Sequence, residues 1–76
     1  MKELLEYLVK ALVDTPAEVS ISEVAGEKAI VFEIKVAEAD IGKVIGRNGR
    51  IINSIRTVVR AAAVKDGKKV SVELIG

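Results

Sequence analysis

Gly46 and Gly49 stand three residues apart and enclose Arg47 and Asn48, with Lys43 and Arg50 on either side. A pair of glycines allows a sharp reversal and lets another backbone approach without a Cβ in the way. Where a helix resumes directly after such a break, its first amides point outward at the positive end of the helix dipole, a natural seat for a phosphate. Spacing excludes two nucleotide-binding loops. A Walker A loop needs Gly-x-x-x-x-Gly-Lys-Ser/Thr, but Gly42 is followed by Lys43-Val44 and Gly49 by Arg50-Ile51. A dinucleotide fingerprint needs a glycine two residues before Gly46, where Val44 stands. What remains is either a tight helix-to-helix turn with a C-cap glycine or an anion clamp. Arg47 and Arg50 weigh toward the clamp, because a cation at a helix N-terminus opposes the dipole by about 0.3–1 kcal/mol, a penalty that a bound anion reverses. Arg56 and Arg60, four apart on the same segment, repeat the tolerated like-charge repulsion.

The charge is unevenly spread. Residues 1–39 carry four lysines against eight acids, a net −4; residues 40–60 carry Lys43 and all four arginines against Asp40, a net +4; residues 61–76 carry three lysines against two acids, a net +1. Charge alone fits a solvated helix face equally well. The chain has neither cysteine nor histidine, which removes disulfides, zinc-finger spacings, thiol nucleophiles and the imidazole base. An enzyme would need paired carboxylates, and the acids are scattered over solvent-facing positions, so no catalytic residue, metal or cofactor is expected. With 76 residues, half of them hydrophobic, the chain reads as one small domain, 1–76, able to bury only roughly 60% of its unfolded surface. Its apolar runs are far shorter than the ~20 residues of a membrane span and no signal peptide opens it, so a cytoplasmic location is expected.

The elements that must position the glycine turn are legible in the periodicity. Leu4, Leu5, Leu8, Val9 and Leu12 predict an amphipathic helix over 2–13 that Asp14-Thr15-Pro16 ends. Residues 18–24 and 28–37 alternate and predict two strands, joined as an antiparallel hairpin through Ala25-Gly26-Glu27. Asp40 suits the N-cap of a short helix over Ile41–Ile45, and a second helix runs from about Arg50 to Val64. Asp66-Gly67 then turns the chain into a strand around Val70, Val72 and Leu74. The order α-β-β-α-α-β implies an α+β sandwich, a three-stranded mixed sheet packed on one face by three helices. A right-handed crossover puts the third strand parallel beside the second, which becomes central.

The stretch Val44-Ile45-Gly46-Arg47-Asn48-Gly49-Arg50-Ile51-Ile52 resembles the signature of the KH domain, and the element order resembles its prokaryotic, type II, arrangement. The resemblance covers essentially the whole chain and is to the small single-KH bacterial RNA-binding proteins called KhpA. It implies a non-enzymatic protein that clamps about four nucleotides of single-stranded RNA, an RNA chaperone or post-transcriptional regulator acting as a dimer. Carried over by residue, Gly46, Arg47, Asn48 and Gly49 would contact phosphates and sugars, with Lys43 and Arg50 as flanking cations. Bases would lie in an aliphatic groove walled by Ile41, Val44, Ile45, Ile52 and Ile34. The loop Lys65-Asp66-Gly67-Lys68-Lys69 would correspond to the family's variable loop and form the opposite rim.

Composition agrees with that implication, since stacking readers such as RRM and OB folds display aromatic rings and this chain has only Tyr7 and Phe32. Phe32 shares its strand face with Ile30, Ile34 and Val36 and is expected in the core. The second long helix carries more aliphatic surface, from Ile51 through Val64, than one core-facing stripe uses. The surplus is either ordinary exposed aliphatic surface or a pairing face. The resemblance tilts this toward a homodimer, or a heterodimer with a larger KH-containing protein of the KhpB, Jag or EloR type. A rival reading from another class is a protein-interaction module of KH shape that docks a partner through its third helix.

Overall fold

The computed structural model describes residues 1–75. Leu5, Val9 and Val13 recur at four-residue intervals, and the first two lie on one buried row of helix α1, Lys2–Leu12. The helix stops one residue earlier than predicted because Val13 is extended, with φ −97° and ψ 158°. Pro16 then opens a 3-10 turn over Pro16–Glu18, closed by Glu18 N donating to Thr15 O at 3.0 Å and Val19 N to Pro16 O at 3.1 Å. The first strand, β1, Ser20–Ala25, accordingly starts later than the alternation at 18–24 suggests. A proline with its φ already fixed seeds the turn where an extended start was expected.

Strand β2 spans Ala29–Lys35 and pairs antiparallel with β1, Ile21 opposite Ile34 and Ala25 opposite Ile30, with Gly26 N bonding Ala29 O at 2.7 Å in the hairpin. A 3-10 turn, Glu38–Asp40, leads into the short helix α2, Ile41–Ile45, and after the glycine turn helix α3 covers Arg50–Val64. Asp66 N and Lys68 N both donate to Ala63 O, and Lys69 N donates to Lys28 O at 2.9 Å. These bonds deliver strand β3, Lys69–Ile75, parallel to β2, with Ile30 opposite Val70, Phe32 opposite Val72 and Ile34 opposite Leu74. The sheet order is β1-β2-β3. The predicted mixed sheet with a central second strand is therefore the one observed.

Phe32, Ile34, Val44 and Val59 are fully buried, packed with Leu5 and Val9 of α1 and with Ile52, Ile55 and Ala63 of α3. Burying each large aliphatic or aromatic side chain contributes about 1.5–3 kcal/mol, so this one cluster locates the helices on the sheet. The other sheet face, with Glu33 opposite Glu73 and Lys35 opposite Ile75, stays open. No helix among the described residues is long and apolar enough to cross a membrane, and no group of three or more His, Cys, Asp or Glu among them could hold a metal ion.

Candidate nucleic-acid interface

Helix α2 ends at Gly46, whose N–H donates to Gly42 O at 2.9 Å and whose φ of 75° and ψ of 176° lie in a region essentially reserved for glycine. Arg47–Gly49 form a single 3-10 turn in which Asn48 is left-handed at φ 56°, a conformation asparagine tolerates better than most residues. Gly49, at φ 73°, donates to Gly46 O at 3.2 Å and precedes the first residue of α3. The glycines meet internal demands first. A Cβ at Gly46 would lie 2.5 Å from Ile51 Cγ1, inside the packed body of the side chain, whereas one at Gly49 would meet Asn53 Nδ2 at an ordinary 3.6 Å. The absence of a Cβ at Gly46 thus admits Ile51, not an incoming backbone.

No side chain caps the start of α3, which presents the dipole's positive end beside the turn, while the Arg50 N–H donates back to Arg47 O within the 3-10 turn. Arg47, Asn48 and Arg50 are exposed around it. Among the described residues both ion pairs belong to Lys43, leaving the arginines of this region without a carboxylate partner.

Lys43 was expected to flank the turn as a phosphate contact, but its ammonium bonds the Asp14 carboxylate and reaches Asp40 Oδ1 at 3.4 Å. Asp40 occupies the N-cap position of α2 without capping it. Only 1% exposed, it instead accepts the Thr15 N–H at 3.0 Å, because the α1–β1 connection passes over it. Burial pushes the Asp40 carboxyl upward, yet the amides of Thr15 and Asp14 and the Lys43 ammonium outweigh it and hold the group below the usual aspartate value. The hydrogen bond to Asp14 is the main reason Lys43 is held above its usual value. Desolvation opposes it and Asp40 adds to it.

Beside the turn lies a groove of about 420 Å³ lined by Ile41, Ile45, Ile52, Arg56 and Leu74. Three of the five expected wall residues are therefore together. Val44 and Ile34 are fully buried beneath it and shape it only from below. The strand wall is Leu74, the register partner of Ile34: β2 is central and covered, while β3 is the edge against which α3 opens. Arg56 was singled out only for its charge. Its Nε donates to Val72 O at 3.1 Å and its Nη1 to Asn53 Oδ1 at 3.2 Å, which lays the guanidinium along the strand edge. The four-residue step from Ile52 to Arg56 was the signal that could have placed it in the wall. Lys68 and Lys69 are not the opposite rim. Lys69 pairs with Ala29 at the far end of β3 and shares a separate concavity with Arg60, Val64, Lys68, Val70 and Ser71. A further apolar concavity separates α1 from α3, between Leu8, Ala11 and Leu12 on one side and Ile51, Ile55 and Val58 on the other.

A glycine turn joining two helices above a three-stranded mixed sheet, in this chain order, defines a KH domain of the type II arrangement. The chain belongs to the KhpA/KhpB KH-domain family, whose family model matches residues 2–74. It is 60% identical over 75 residues to the RNA-binding protein KhpA of Clostridium acetobutylicum, covering 99% of this chain and 100% of that one. It is 51% identical to the RNA-binding protein KhpA of Chlamydia trachomatis, covering 99% and 96%. The fold is also that of a segment of Era. Aquifex aeolicus Era Y63A bound to GDP and aluminium fluoride matches with a TM-score of 0.68 at 20% identity, over 95% of this chain and 28% of that one. Era in complex with MgGDPNP and nucleotides 1506–1542 of 16S ribosomal RNA matches with a TM-score of 0.64 at 21% identity, again over 95% and 28%.

Proposed function

We propose that this chain, as one KH domain over 1–76, is a non-enzymatic cytoplasmic RNA-binding protein that holds short single-stranded RNA. The Gly46–Gly49 turn, the uncapped start of α3 and the Arg47 and Arg50 side chains seat the sugar-phosphate backbone. Ile41, Ile45, Ile52, Leu74 and the guanidinium of Arg56 receive the bases. The observation that carries this reading is the meeting of a helix N-terminus without a side-chain cap, arginines that form no ion pair among the described residues, and an adjoining apolar groove. The printed names of the relatives support it. A site with this little base-specific chemistry suits an RNA chaperone or post-transcriptional regulator of modest sequence preference. Lys43 holds α2 in place, and Val44 and Ile34 support the groove floor.

The test is RNA binding by the native protein and by the double variant Arg47→Asp, Asn48→Asp, which removes one positive charge and adds two negative ones at the turn. Binding that falls steeply at low and moderate salt is the expected result. Unchanged affinity would falsify the clamp. The concavity between α1 and α3 supports a second element of the reading, pairing with another copy or with a larger KH protein of the KhpB type. It also supports the rival, a protein-docking module. Retained partner binding with no measurable RNA affinity would favour that rival.

A further inference from the structure

We infer that the RNA-binding surface continues from the groove along the cleft between α3 and β3 to a second phosphate station made by Arg60, Lys68 and Lys69. This rests on the RNA reading above and extends its footprint. Ile52, Arg56, Arg60 and Val64 follow one another at four-residue steps, so each stands about 6 Å further along α3 and Arg60 about 12 Å beyond Ile52. Strand β3 runs back beside this row. Ile52 and Arg56 share the first concavity with Leu74, Arg56 bonds Val72 O, and Arg60 and Val64 share the next concavity with Val70. The two hollows thus follow one another along the same edge strand, with no lining residue in common and Arg56 between them.

The lining of the far hollow is cationic. Arg60, Lys68 and Lys69 contribute to it, no acidic residue does, and none of the three forms an ion pair among the described residues. Glu73, the acid of β3, is not part of this lining, whereas Lys69, of the same strand parity, reaches the hollow from the first position of β3. Three cations that form no ion pair among the described residues, lying beyond the groove on the same strand edge, fit the same polyanion leaving the proposed clamp. A Gly-x-x-Gly clamp accounts for about four nucleotides, so this station meets only a longer strand.

The test compares a tetranucleotide with an octanucleotide of mixed sequence, titrated by NMR chemical shift and by fluorescence anisotropy across a salt series. Each neutralised phosphate of a single strand adds about 0.7 to the salt slope. Three further contacts should therefore steepen the octanucleotide's slope by about 2, an additional loss of about 20-fold between 50 and 200 mM salt. Extra binding registers on a longer strand raise affinity without changing that slope. The variant Arg60→Gln, Lys68→Gln, Lys69→Gln should bring the octanucleotide's slope down to the tetranucleotide's while leaving tetranucleotide binding and the circular dichroism spectrum unchanged. Equal slopes for the two oligonucleotides on native protein, or an unchanged octanucleotide slope in the variant, overturn the second station and leave the clamp standing. Failure of both oligonucleotides to bind native protein overturns the clamp and the station together.

Discussion

The buried carboxylate of Asp40 accepts the backbone N–H of Thr15 at 3.0 Å, joining residues 25 positions apart in the chain. The bond fastens the α1–β1 connection to the first turn of α2, and Lys43 closes the same junction from Asp14. Helix α2 is only five residues long, too short to persist on its own in water. Its orientation, and with it the groove wall of Ile41 and Ile45, depends on that junction and on buried Val44.

Stability should therefore respond to pH through this junction. Asp40 titrates below its unfolded value, so its contribution is present above about pH 4 and is lost as pH falls through the folded value. Lys43 titrates above its unfolded value, so its contribution is complete below about pH 10 and is lost as pH rises through the folded value. Asp40→Asn should lower Tm across the neutral range, and the difference from native protein should shrink below pH 4 and above pH 10. A Tm difference that is constant from pH 3 to pH 11 would show that the charge on Asp40 contributes nothing. Thermal unfolding followed by circular dichroism makes the measurement.

The two glycines of the turn should differ in what they tolerate. Gly46→Ala imposes both a glycine-only backbone conformation and a clash with Ile51, together on the order of 3–4 kcal/mol. Gly49→Ala imposes only a left-handed alanine, about 1–2 kcal/mol. Urea unfolding of the two variants checks the ranking, and equal losses would mean that Ile51 moves aside freely.

Lys43 and Arg50 flank the turn symmetrically in sequence but not in chemistry. Lys43 is engaged by two carboxylates, whereas Arg50 forms no ion pair among the described residues. Arg50→Gln should reduce the salt slope of RNA binding by about 0.7, the share of one phosphate contact on a single strand. Lys43→Gln should leave the slope unaltered and lower Tm. Equal reductions of slope by both variants would return Lys43 to the phosphate site.

Much of this architecture was readable from periodicity. The bounds of α3, Arg50–Val64, and the central place of β2 follow from apolar spacing and the handedness of the crossover, because each buries a row of side chains whose period is fixed by backbone geometry. What escaped depends on contacts distant in sequence. Leu74 replaces Ile34 in the groove because register, invisible to periodicity, sets which of two paired residues lies at an open edge. Asp40 and Lys43 looked like a cap and a free cation, and only the passage of Thr15 overhead converts them into an internal junction. The space that Ile51 takes above Gly46 is likewise a matter of packing, on which a glycine in a sequence is silent.

The last expectation concerns pairing. Val58 is 46% exposed and lines the apolar concavity between α1 and α3 with Leu8, Ala11 and Ile51. Val58→Asp should cost the fold only about 1 kcal/mol, since nearly half of the side chain is already exposed. If a second copy covers this surface, the substitution buries an unpaired carboxylate in the interface and the dimer should dissociate, read by sedimentation equilibrium. Affinity for a tetranucleotide should not change. Affinity for a strand long enough to reach two grooves should fall by about 100-fold or more as avidity is lost. A native protein that sediments as a monomer at high concentration would remove the pairing surface from the reading and leave the clamp intact.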